Sequence, residues 1–230
     1  MKVQRLRVTF ARGDEMKYIT HLDLMRFWER ALRRAGLPVA YSEGFTPHPQ
    51  ISLAAPLPVG TTSDAELMDV FLTERIVPRE FLEKTAEQLP AGIAVVAAEE
   101  VGLALPSVQA DVRFAEYDVT VAGADDRDAA QKIDAFLAAA SVPWEHRRQE
   151  ELRSYDIRAL VESIEIVDHS SGELRLRMRL RSDSSGSGRP EQVVAALGLP
   201  APQQIHRTKL VLAGTSPARE AYRRRGRFAS

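Results

Sequence analysis

Residues 173–182 read ELRLRMRLRS, an alternation that a strand can sort and a helix cannot. Successive side chains of a strand point to opposite faces. Leu174, Leu176, Met178 and Leu180 therefore share one face, and Arg175, Arg177, Arg179 and Arg181 share the other. The apolar face needs cover, so this stretch predicts a sheet with a core on one side. Successive arginines stand about 6.6 Å apart along the strand, comparable with the phosphates of an extended single strand. Arg175, Arg177 and Arg179 are thus candidates for an anion-binding track. Against this, a hairpin can place Glu165 opposite Arg175 as a cross-strand pair. No aromatic residue interleaves the arginines, so the base-stacking platform of an RNA-binding sheet is missing.

The rest of the chain supplies partners for such a strand. Residues 3–10 alternate, with Val3, Leu6, Val8 and Phe10 apolar and Arg5 and Arg7 pointing away. Thr20 is placed to cap a helix ending at Gly36, and Asp23 suits its positive end. Extended segments follow at 39–41, 50–55 and 67–72, then a helix opened by Pro78 and a strand at 93–98. The aperiodic, proline-interrupted residues 99–111 mark a boundary. Beyond it come a strand at 113–121, a helix capped by Asp125 and strands at 142–148, 157–167 and 173–182. A helix opened by Pro190 and a strand at 205–212 complete the order. The expected fold class is α+β, two tandem ferredoxin-like halves of βαββαβ order. They span residues 1–110 and 111–214, followed by a basic flexible tail at 215–230.

Composition removes several chemistries. The sequence has no cysteine, which excludes disulfides, thiolate nucleophiles and cysteine-held iron–sulfur clusters. No apolar run reaches the ~20 residues of a membrane helix, and the start is a charged strand pattern, so a cytoplasmic protein with no membrane partner is expected. His146, His169 and His206 are scattered, and no His/Asp/Glu spacing points to a metal. Phosphate-loop, nucleophile-elbow and dinucleotide patterns are missing too, so no cofactor is expected. The charge is uneven. Residues 1–60 hold nine Lys/Arg against five Asp/Glu, residues 61–134 six against sixteen, and residues 135–230 sixteen against eleven. Two basic segments flanking an acidic one favour an anionic partner bound by particular faces.

The helix 20–36 carries Arg26, Arg30, Arg33 and Arg34 on one side, because three- and four-residue steps stack on a helix. RNA phosphate suits that face, as do carboxylates of the acidic middle segment. A solvated face with internal salt bridges is the plain alternative. The loop SEGFTPHP, residues 42–49, is stiffened by prolines around His48 and turned at Gly44, with Phe45 beside it. His48 and His21 are candidates for acid–base work or phosphate contact, and Asp23 can orient one imidazole. Structural hydrogen bonds are the ordinary role for both.

Taken together, several stretches resemble the radical-SAM-linked protein family, a bacterial domain. They are KYITHLD at 17–23, Arg30-Ala31 with Arg34, Pro38, GFTPHP at 44–49, and PLPVG at 56–60 with Ser63 and Glu66. Tyr155-Asp156-Ile157-Arg158 resembles that family's weaker second signature. The resemblance implies an RNA-centred context, with a radical-SAM protein or ribonuclease E/G as partner. Without cysteine, any radical chemistry must come from that partner. The expectation is a non-enzymatic RNA-binding or accessory module with Arg26, Arg30, Arg33, Arg34, Phe45, His48, Arg175, Arg177 and Arg179 at the interface. Two alternatives stay open: an RNA-processing enzyme using His21 and His48, and a docking domain for a radical-SAM enzyme.

Overall fold

The computed structural model describes residues 1–148 and 151–214. The tail expected at 215–230 and the side chain of His146 lie outside the described residues. The first half contains β1 (Gln4–Arg12), α1 (His21–Arg34), β2 (Ile51–Leu53), β3 (Thr62–Leu72), α2 (Pro78–Ala86) and β4 (Ile93–Glu100). A short helix, α3 (Val108–Asp111), leads into the second half. There follow β5 (Val112–Ala122), α4 (Asp126–Ala138), β6 (Pro143–Arg148), β7 (Glu151–Asp156), β8 (Val161–Ser170), β9 (Glu173–Asp183), β10 (Gly186–Ser187), α5 (Pro190–Ala196) and β11 (Gln204–Leu212).

The architecture is a large mixed sheet with few helices. Nine strands join in the order β10-β9-β5-β11-β3-β1-β4, with β2 beside β3 and β8 beside β9, while β6 and β7 form a separate hairpin. The halves expected to stand in tandem thus share one sheet. The joint is parallel and short: His206 pairs with Thr62 and Arg207 with Ser63. Its cause lies in strand length. β3 has eleven residues and β2 only three, so β2 covers β3 from Met68 to Val70. The start of β3 is an open edge, and open edges recruit strands.

Each helix forms for local reasons. Thr20 Oγ1 accepts the Asp23 N–H at 3.2 Å, filling an orphan donor at the N-terminus of α1. At the other end Gly36 takes φ +63°. Its N–H donates to Arg33 O at 3.1 Å and that of Leu37 to Leu32 O at 3.2 Å, the paired bonds of a Schellman stop. Between these ends Leu24, Trp28, Ala31 and Leu32 are buried. Trp28 meets Phe10 of β1 edge-on, with ring centroids 5.0 Å apart.

Leu6, Val8 and Phe10 with Met68, Val70 and Leu72 carry α1 and α2. Tyr117, Val119 and Val121 with Leu174, Leu176 and Met178 carry α4 and α5. Glu66 alternates with Met68, Val70 and Leu72, and it meets Tyr117 around Arg207. These four helices therefore lie on one face of the shared sheet. Among the described residues no helix is long and apolar enough to cross a membrane.

Gly36→Ala isolates the backbone cost of the α1 stop, because no atom lies within 4 Å of the added Cβ. The substitution is expected to lower stability by about 1–2 kcal/mol, read from urea unfolding.

Candidate functional site

β1 runs between β3 and β4, so both of its edges are paired, and the linker closes over the face that Arg5 and Arg7 share. Arg5 and Arg7, expected to point away from the core, are buried. Both pair with Asp69: Arg7 Nε lies 3.0 Å from Oδ1, and Arg5 Nη2 donates to Oδ2. Arg5 also donates to the carbonyls of Leu105 (2.8 Å) and Pro106 (2.6 Å), while Asp69 accepts the Val108 N–H at 2.9 Å. These bonds stitch the aperiodic linker onto the sheet.

Two further buried arginines hold the motif segment PLPVG. Arg12 Nη2 donates to the carbonyls of Pro58 (3.0 Å), Thr61 (3.0 Å) and Lys17 (3.3 Å). Arg207 pairs with Glu66 through two hydrogen bonds, its Nε at 2.8 Å from Oε1. Arg207 Nη2 and Nη1 reach the carbonyls of Ala55 (3.2 Å) and Pro56 (3.4 Å). Prolines carry no N–H, so this segment offers mostly acceptors, and the guanidiniums answer them from beneath. Burial lowers the Arg12 pKa, with Glu66 opposing and Arg207 adding to the fall. Burial also works against the charge of Arg207, but the pull of Glu66 and then Tyr117 outweighs it, so its pKa rises.

The pinned segment forms one wall of a cleft of about 900 Å³ between the halves. Tyr155, Arg181, Arg189 and Gln192 of the second half line the same cleft. Tyr155 Oη donates to Gln192 Oε1 at 2.5 Å. Burial raises the Tyr155 pKa, partly offset by Arg189. Asp156 accepts the N–H groups of Val142 (2.9 Å) and Arg158 (3.0 Å), and these bonds hold its carboxyl below the usual range, Val142 contributing most.

The cationic helix face is exposed. Arg26, Arg30, Arg33 and Arg34 are all on the surface, within about 100° of helical arc. Arg26 lies 3.7 Å from Asp23, and Arg34 donates to Gln88 O at 3.1 Å. Arg30 and Arg33 meet no carboxylate among the described residues. Asp23 is engaged by Thr20 Oγ1 at 2.7 Å, not by an imidazole.

The structure does not bring the two candidate histidines together. Both are exposed. His21 opens α1 at the Arg12 end of β1, where Gly60 N–H meets Lys17 O. His48 sits in the loop at the opposite end, between Ala40 and Gln50, which bond to Phe71. The helix between them is about 21 Å long. The His48 N–H donates to Ser42 Oγ at 3.0 Å, fixing the loop backbone. Phe45 stands fully exposed at its tip.

The arginine ladder of β9 is answered by carboxylates. Arg177 pairs with Asp118 at 3.0 Å and Arg179 with Glu116 at 3.5 Å, while Arg175 approaches Asp168 at 3.9 Å. The Arg179 guanidinium also lies over the Phe114 ring at 4.8 Å. Glu165 faces Arg177, not Arg175, because the hairpin turns within Ser171-Gly172 and pairs Ser170 with Glu173, and β8 then shifts by one residue between Ile166 and Asp168.

Reading the sequence alone did not single out Arg12 and Arg207 as buried clamps. A signal existed for Arg12, which continues the period-two series Leu6, Val8, Phe10. Glu66 precedes Met68, Val70 and Leu72 in the same way. His206, which joins Thr62 (Nδ1 to Oγ1, 2.7 Å) and Asp64 (Nε2 to Oδ2, 3.0 Å) across the joint, was also missed.

Residues 5–190 match the family described as "Uncharacterized protein conserved in bacteria (DUF2344)". The chain belongs to this family. No curated protein matches the DUF2344 chain. Among solved structures, the crystal structure of a Cbf5-Nop10-Gar1 complex aligns at 12% identity and TM-score 0.47, over 88% of this chain and 48% of that one. An H/ACA RNP bound to a substrate RNA containing 2'-deoxyuridine aligns at 12% identity and TM-score 0.45, over 88% and 47%. An unknown protein from Galdieria sulphuraria aligns at 16% identity and TM-score 0.26, over 91% and 98%. The DUF2344 chain spans about half the length of the first two.

Two measurements test this electrostatic description. Arg207→Leu strands Glu66 and is expected to cost about 3–5 kcal/mol in urea unfolding, most of which Glu66→Leu added to it should restore. The folded pKa of Asp156 is depressed, so its contribution is present above the unfolded value of about 3.9 and is lost as pH falls through the folded one. Asp156→Asn should flatten the fall in thermal midpoint on acidification below about pH 4.

Proposed function

We propose that the chain is a non-enzymatic RNA-binding or accessory module that acts beside a separate enzyme in the cytoplasm. The supporting observation is the α1 face, where Arg30 and Arg33 stand exposed and without a carboxylate partner while the β9 arginines are paired. Like charges left together on one surface favour an anion, and phosphate suits guanidinium. Arg26 and Arg34 extend the face, and His48 and Phe45 belong to the loop at its far end. We read each half as ferredoxin-like, on the strand orders β4-β1-β3-β2 and β11-β5-β9-β8. An acid–base role for His21 and His48 asks both rings to reach one substrate atom, and they stand at opposite ends of α1.

A second reading, a docking domain for a radical-SAM enzyme, draws support from the exposed apolar residues Tyr18, Leu22, Phe45 and Val59. All four lie in or beside the stretches that resemble the radical-SAM-linked family.

The test is fluorescence anisotropy with a labelled single-stranded RNA between about 50 and 200 mM salt. The logarithm of affinity is expected to fall linearly with that of salt, with slope about −0.7 per phosphate contacted. Arg30→Glu with Arg33→Glu should remove most of that slope, and Arg177→Gln should leave it unchanged. Binding indifferent to salt, or to the paired Glu substitutions, overturns the proposal.

A further inference from the structure

The cleft between the halves has a composition that the α1 face lacks. Its volume of about 900 Å³ is that of a small-ligand site and leaves no room for a duplex. One wall, residues 56–59, is apolar. The carbonyls of Pro56 and Pro58 are turned inward to Arg207 and Arg12, so that wall presents pyrrolidine and aliphatic surface. In the same cleft the Tyr155 hydroxyl is tied to Gln192, which fixes the ring.

Two cations line the cleft as well. Arg189 is exposed and has no ion pair among the described residues. Arg181 donates to Ser185 Oγ at 3.0 Å. Of the carboxylates close by, Asp156 is occupied by two amides, and Asp183 by the N–H and hydroxyl of Ser185. Glu191 is the remaining carboxylate of the lining. A fixed aromatic ring and an apolar proline segment lining one cleft, with guanidiniums beside them, are chemistry for a flat ring bearing a phosphate.

The cleft lies toward the segment that leads into α1. Tyr18, just before the helix, lies about 4 Å from where a Cβ on Gly60 would stand, and Val59 belongs to the cleft wall. We propose that the cleft receives an unpaired nucleotide of the RNA held on α1. The base lies between Tyr155 and the wall of Pro56 and Pro58, and Arg189 and Arg181 take its phosphates. This inference rests on the RNA-binding reading and makes the ligand a single strand.

The test uses the full chain with a single-stranded RNA carrying one 2-aminopurine, beside a duplex of the same length. Wild-type protein is expected to quench the probe and to prefer the single strand. Tyr155→Ala should abolish quenching and weaken single-strand binding about tenfold, while duplex binding stays as it was. Arg189→Ala, at an exposed position, should weaken the single strand without touching the core, and Tyr155→Phe should retain quenching. Arg30→Glu with Arg33→Glu should weaken both RNAs. If the α1 variants lose RNA while Tyr155→Ala and Arg189→Ala keep full single-strand affinity and quenching, the cleft inference fails and the α1 reading stands. If wild-type binds neither RNA, both fail.

Discussion

The molecule depends on guanidinium groups buried where its halves join. The strand pairing there is slight, two residue pairs between β3 and β11. Arg207 reaches across it to Glu66 through Nε and Nη2, and Arg12 stands beside them under the same loop. Taking such charges out of water costs several kcal/mol each, so a buried pair is weak evidence for net stability. What it does supply is direction. A guanidinium satisfied by one carboxylate and several carbonyls fits one arrangement of the surrounding chain, and misplacing that chain leaves a charge unanswered. The carbonyls of Ala55, Pro56, Pro58 and Thr61 all take part. The joint and the motif loop are therefore one construction.

The same account explains where the charge goes. Four carboxylates of the acidic middle segment answer arginines of the flanking segments: Asp69 with Arg5 and Arg7, Glu66 with Arg207, Glu116 with Arg179, Asp118 with Arg177. Once these pairs are made, the β9 ladder is a cross-strand charge pattern on a sheet. Arg30 and Arg33 of α1 are left over, beyond reach of those strands. A net charge of -1 thus conceals a cationic face, because Arg30 and Arg33 stay outside the ion pairs that cancel charge elsewhere.

The sequence made the local features legible. Thr20, Gly36, Asp125 and Pro190 act through their own backbone and their immediate neighbours, and the helices start or stop where those residues stand. The Leu/Arg alternation of β9 told its two faces apart for the same reason. What stayed hidden was set by distant partners. Arg5 and Arg7 alternate as a solvent face would, and only the linker laid over β1 makes that face an interior. The pairing of Glu165 turned on the tight turn at Ser171-Gly172 together with a bulge in β8, and no periodicity announces either. The joint itself follows from the shortness of β2, fixed by the loops around it. The helix arginines were visible by spacing, but their lack of carboxylates could be judged only once the acids had been placed.

The most direct test of the joint uses the two tryptophans, Trp28 in the core of the first half and Trp144 against that of the second. Each is followed alone in urea, with the other replaced by Phe. If Arg207 and Glu66 bind the halves into one cooperative unit, both probes report the same midpoint and slope. Two separated transitions, one for each tryptophan, would contradict the account.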